Sequence, residues 1–164
     1  MREKQLTRKK SEEEARLSLE ALCVTGEHCV LEMRNKMMRW GVDDDAQERI
    51  IKHLVERGFI DEERYCRAFV KDKVVYNKWG RRKVEQALWA KHIPQEIIRE
   101  ALDEVDQENY VDTLRQLLKN KSRSVKASSE YERTQKLIRF AAGRGFTMDV
   151  IRQCLNTDYD EDDC

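Results

Sequence analysis

Three short segments, Trp40-Gly41-Val42, His92-Ile93 and Arg144-Gly145-Phe146, stand at nearly even intervals along the chain, and each closes a helical pattern. Each leads into a further helix with paired apolar residues: Ile50-Ile51, Ile97-Ile98 and Val150-Ile151. Val42 and Ile93 lie 51 positions apart, Ile93 and Phe146 53. A period of about fifty residues marks stacked supersecondary units, because one such unit cannot bury its own apolar face and must pack on the next. The unit here is three helices. The expected fold is therefore all-α, three tandem three-helix repeats stacked into an elongated, curved array.

Composition agrees. One proline and six glycines in 164 residues leave little turn chemistry for a sheet, and 40% hydrophobic against 39% charged residues give thin apolar layers. Leu, Ala, Glu, Lys and Arg abound, all good helix formers. The repeats are expected over 11–58, 59–105 and 106–156, with a flexible basic arm at 1–10 and an acidic tail at 157–164.

Local signals place nine helices. Ser11 with Glu14 forms a capping box. Ala15, Leu19 and Leu22 follow at helical spacing, up to Gly26. Val30, Met33, Met37 and Trp40 make the second stripe. Asp43 or Asp44 caps the third, with Ala46, Ile50, Ile51, Leu54 and Val55 inward, and Gly58 ends it. Asp61 caps a fourth, with Tyr65, Ala68, Phe69 and Tyr76 inward. Arg81 starts a fifth on Val84, Ala87 and Leu88. Pro94 suits the first turn of a sixth, since its missing N–H is not needed there. Tyr110 to Leu118 form a seventh, and 119–129 read as a polar, basic loop. Tyr131, Leu137, Ile138 and Ala141 line an eighth, and Thr147 caps a ninth on Val150, Ile151, Cys154 and Leu155.

The five cysteines, Cys23, Cys29, Cys66, Cys154 and Cys164, include no CxxC pair. They read as reduced thiols in a cytoplasmic protein. No run approaches a membrane span of roughly 18 apolar residues, and the polar, basic N-terminus is no signal peptide. His28, His53 and His92 lack metal-ligand spacing. His28 and Cys29 are adjacent, so on a helix they point about 100° apart. The glycines form no phosphate-cradling loop. The carboxylate runs Asp43-Asp44-Asp45 and Asp61-Glu62-Glu63 are explained by helix N-terminal electrostatics. No catalytic residue, metal or cofactor is expected, and the chain does not read as an enzyme.

The formal net charge is zero, but the charge is blocked. Residues 71–91 carry seven basic and two acidic side chains, and residues 94–112 one and seven. Arg81, Arg82 and Lys83 open a helix at the positive end of its dipole, an unfavourable placement that propensity does not explain. With Lys73 and Lys78 they form one basic cluster. Lys119, Lys121, Arg123 and Lys126 form a second. Both are candidate contacts for an anionic partner. Neither the aromatic interleaving of a single-strand platform nor a base-reading helix is evident, so sequence-independent phosphate contact is expected.

The motifs in order resemble the RecX family, regulators of the RecA recombinase, from about Ala15 to Leu155. The core of the resemblance is Arg57-Gly58-Phe59-Ile60-Asp61-Glu62-Glu63-Arg64-Tyr65, followed by Cys66-Arg67-Ala68-Phe69-Val70 and by Gly80 through Val84 to Leu88. Glu32-Met33-Arg34-Asn35-Lys36-Met37 matches a Glu-Leu-Arg-x-Lys-Leu element of the first repeat, and Lys136 to Phe146 matches the last. His92 stands where the family usually has glycine, and the arm and tail fall outside the pattern. The resemblance implies a monomeric modulator that binds RecA and its filament on single-stranded DNA, contacts DNA phosphates, and suppresses ATP hydrolysis, strand exchange and coprotease activity. A helical protein that binds DNA without RecA is the competing reading, and a general helical adaptor a third.

Overall fold

The structure, a computed structural model, describes residues 8–160, with side chains described as far as Asn156. Residues 161–164 of the expected acidic tail and 1–7 of the N-terminal arm lie outside those bounds, whereas residues 157–160, expected in the tail, continue the last helix. Among the described residues there are nine α-helices and no strand. None is long and apolar enough to cross a membrane. The described residues form two compact units, one of residues 8–68 and 91–93, the other of residues 69–90 and 94–160.

The first unit holds α1 (Glu12–Thr25), α2 (Val30–Arg39), α3 (Asp44–Glu56) and most of α4 (Glu62–Val70). The caps follow the sequence. Ser11 Oγ accepts the Glu14 N–H at 3.1 Å. Asp43, rather than Asp44, caps α3 by accepting the Ala46 N–H at 2.8 Å, and Asp61 Oδ1 accepts the Arg64 N–H at 3.0 Å. Gly41 (φ 69°) and Gly58 (φ 73°) end α2 and α3 in the left-handed conformation that only glycine takes without cost. Leu19, Met33, Met37, Ile50 and Leu54 are fully buried between these helices. Val55 is not: it sits about 100° round the helix from Leu54 and is 49% exposed. The arm expected to be flexible over residues 1–10 does not extend to Lys10. The Lys10 N–H reaches Trp40 O at 3.0 Å, and its Nζ lies 4.1 Å from the Trp40 ring centre.

The second unit holds α5 (Arg81–Ala90), α6 (Gln95–Asp103), α7 (Gln107–Ser124), α8 (Glu130–Gly143) and α9 (Met148–Asp160). Val84, Leu88, Ile98, Leu102, Leu114 and Ile151 are its largest fully buried side chains. Sequence and structure differ here in four places. Helix α7 runs to Ser124, so Lys119, Lys121 and Arg123 are helical rather than in a loop. No glycine or proline interrupts them, and cations at a helix C-terminus oppose its negative end favourably. Pro94 is the cap of α6 (ψ 140°) and not its first-turn residue. Tyr131, on the first turn of α8, is 76% exposed. Finally, α4 does not continue in α winding past Val70: residues Lys71–Tyr76 form a π turn. Ala68 and Tyr76, both expected inward, face outward.

Candidate functional site

The end of α4 delivers the first basic cluster. Trp79 follows the π turn, and its indole is covered by two ammonium groups, Lys83 Nζ at 4.3 Å and Lys73 Nζ at 5.1 Å from the ring centre. Lys73 Nζ also lies 3.5 Å from Asp72 Oδ2. These two lysines hold Trp79 in place by cation–π attraction, worth about 0.5–2 kcal/mol each.

Next comes a close backbone crossing. The Gly80 N–H donates to Arg144 O at 2.8 Å and the Arg82 N–H to Gly145 O at 3.0 Å. A Cβ on Gly80 would stand 2.1 Å from the Gly145 carbonyl carbon, so no side chain fits. The Arg81 N–H donates to Tyr110 Oη at 3.0 Å, and burial raises the Tyr110 phenol above its ordinary range, which keeps it neutral in this role. The first-turn N–H groups of Arg81 and Arg82 are thus satisfied inside the chain. An anion gains nothing from them, and any partner contact at α5 comes from side chains. Arg81 is itself engaged, 2.9 Å from Asp103 Oδ1 at the end of α6. A cation at a positive helix end and a carboxylate at a negative one, each unfavourable alone, relieve each other.

Arg144 joins the two clusters. Its Nη2 donates to Asn77 O at 2.7 Å and its Nε to Lys78 O at 3.3 Å. Its guanidinium lies 5.8 Å from the Phe140 ring centre, and Lys121 Nζ lies 5.2 Å from the same ring. At the end of α7, Arg133 donates to Ser122 O at 2.6 Å and Lys136 to Lys126 O at 2.5 Å. Among the nine basic residues singled out from sequence, Lys78, Arg82, Lys119, Arg123 and Lys126 are exposed, whereas Lys73, Arg81, Lys83 and Lys121 are partly covered. Lys119 and Arg123, four apart, share one helix face. Lys121 turns to Phe140 on another. Arg144 was missed because Gly143-Arg144-Gly145 reads as a helix end. The signal available was an arginine four residues after an aromatic, at a glycine-flanked turn.

The first unit has a separate polar group. Glu32 accepts from Tyr65 Oη at 2.9 Å and contacts His28 Nδ1 at 2.8 Å and Lys91 Nζ at 3.5 Å. Burial pushes its carboxyl up, but the His28 and Tyr65 hydrogen bonds and the Lys91 charge outweigh it and hold the group below its ordinary value. Among the described residues no three His, Cys, Asp or Glu side chains gather as a metal would need.

Two family models match this chain: RecX, second three-helix domain, over residues 61–102, and RecX, third three-helix domain, over residues 108–155. Regulatory protein RecX of Clostridium perfringens (strain 13 / Type A) is 30% identical over 136 residues, covering 79% of this chain and 63% of that protein. Regulatory protein RecX of Clostridium botulinum (strain Eklund 17B / Type B) is 30% identical over 123 residues, covering 74% and 57%. The chain therefore matches less than two thirds of the length of these relatives. In fold it resembles a crystal structure of regulatory protein RecX, with a TM-score of 0.78 at 18% identity over 88% of this chain and 74% of that one. It also resembles RecX from Lactobacillus salivarius, with a TM-score of 0.81 at 16% identity over 89% and 95%.

Proposed function

The chain belongs to the RecX family, and from that premise we propose that it is a regulatory protein that binds RecA and RecA–DNA filaments. In doing so it inhibits RecA's ATPase, recombinase and coprotease activities. The observation that carries this reading is the Arg144 bridge, which ties the turn around Lys78 to the Phe140–Lys121 pair. Two basic segments some forty residues apart in sequence become neighbours, and their outer cations, Lys78, Arg82, Lys119, Arg123 and Lys126, are left exposed. Such cations suit phosphates or carboxylates of a large polyanionic partner and carry no base-reading geometry. The inner cations, Lys73, Arg81, Lys83 and Lys121, support that surface through Trp79, Asp103 and Phe140 rather than adding phosphate contacts of their own.

The test is RecA ATP hydrolysis on single-stranded DNA with increasing amounts of this protein. Hydrolysis falls with the wild type. With Lys78→Glu, Arg82→Glu and Arg123→Glu combined, the midpoint of inhibition moves by about tenfold or more, since each reversal replaces an attraction by a repulsion, while helix content by circular dichroism is unchanged. Undiminished inhibition by the triple variant overturns the site. Binding to bare DNA that is as strong as binding to the filament, at physiological salt, favours the RecA-independent reading.

A further inference from the structure

Resting on the reading above, the structure points to an apolar anchor inside the basic surface: we propose that Val75 and Tyr76 insert into an apolar pocket, edged by carboxylates, on the protein partner. Val75 is 57% and Tyr76 68% exposed. Continuous α winding would carry the inward stripe of Tyr65 and Phe69 to Tyr76. Instead the chain widens. The Asn77 N–H reaches back five residues to Asp72 O at 3.0 Å, and the Trp79 N–H six residues to Lys73 O at 2.9 Å. The wide turn rotates Val74 inward, to 5% exposure, and turns its two successors out. Immediately afterwards Lys78 adopts a left-handed conformation, φ 57°, without being glycine. Two unfavourable backbone conformations within nine residues thus display apolar surface. Wide turns and strained residues of this kind concentrate at functional sites.

The character of the partner follows from what surrounds the pair. Lys71, Lys78 and Arg82 are exposed within six residues of it along the chain, against one exposed carboxylate, Asp72, which pairs with Lys73, so the complementary surface is apolar at its centre and acidic at its edge. A nucleic acid is the poorer fit. Base stacking needs free aromatic faces in succession. Here Trp79 is covered by Lys73 and Lys83, Phe140 carries Lys121 and Arg144, and Val75 has no ring to stack. Tyrosine is among the residues enriched at protein–protein hot spots; Tyr76 supplies that ring here, and Val75 adds apolar area beside it.

The experiment measures two affinities for the full-length wild type and for Val75→Ser/Tyr76→Ser: one for RecA without DNA, one for a bare single-stranded oligonucleotide. The double variant is expected to bind RecA about tenfold to a hundredfold more weakly, as for loss of a hot-spot tyrosine with its apolar neighbour, with oligonucleotide affinity and helix content unchanged. Tyr76→Phe, which keeps the ring, is expected to retain RecA affinity. Loss of oligonucleotide affinity alone overturns the proposal in favour of base stacking. A concentration-dependent dimer of the wild type that the double variant lacks, with RecA affinity unchanged, overturns it in favour of self-association. No change in any measurement overturns it outright. A wild type without affinity for RecA instead sinks the functional reading itself.

Discussion

His92 lies two residues past the end of α5 with φ 58° and is exposed. An L-residue pays about 1–2 kcal/mol for that left-handed conformation, although histidine tolerates it better than most. Glycine pays no steric cost there but loses more chain entropy on folding. Because the exposed imidazole gives up little packing, His92→Gly is expected to raise stability by about 0.5–1 kcal/mol. It should appear as a higher urea midpoint with an unchanged slope. At this scale the sequence was legible wherever a residue's own chemistry sets the geometry. Gly41, Gly58 and Gly145 take positive φ where helix ends were expected, and Ser11 and Asp61 accept the hydrogen bonds that their positions foretold. Lys78 was not legible. A lysine has no preference for left-handed backbone, and only the turn around it imposes one.

Elements were legible through periodicity, and misread where the period changes. A constant 3.6-residue spacing carries the stripe of α4 on to Tyr76, and a π turn leaves no residue signature of its own. The reach of α7 is hidden in the sequence because a charged run looks like a loop. What holds its end, Arg133 on Ser122 O and Lys136 on Lys126 O, comes from another helix. The contact between α2 and α4 at Glu32 is similar in kind: three partners from three places in the chain meet at one half-buried carboxylate. Its depressed pKa means that the folded state holds the Glu32 proton less tightly than the unfolded chain does. The resulting stability is fully present above the ordinary value of 4.5 and disappears as pH falls through the lower folded-state value. Glu32→Gln is therefore expected to be less stable than the wild type near neutrality. The gap should narrow as melting temperatures are followed from about pH 6 down to about pH 3. A gap that stays constant with pH would mean that the carboxylate's charge contributes nothing.

For the molecule as a whole, a formal net charge of zero predicts neither attraction nor repulsion towards a polyanion. The distribution decides. The acidic residues 96–112 lie along α6, the turn after it and the start of α7, in the same compact unit as Lys78, Arg82, Lys119, Arg123 and Lys126 but on separate segments of it, and Arg144 joins the segments that carry the cations. Blocks of charge were visible in the sequence. Which cations are outward was not, since that depends on which rings and carbonyls the others meet. Binding to a RecA filament on single-stranded DNA should therefore be strongly salt-dependent in spite of the zero net charge. If Lys119 and Arg123 each neutralise one single-strand phosphate, changing both to glutamine makes the log affinity against log salt plot shallower by about 1.4, at about 0.7 per contact. Lys73→Gln is the contrasting case. Its ammonium faces Trp79 and its side chain is 24% exposed, so the variant is expected to lower the melting temperature while leaving the slope unaltered. A slope that responds to Lys73 and not to the outer pair would place the polyanion on the other side of the Trp79 ring.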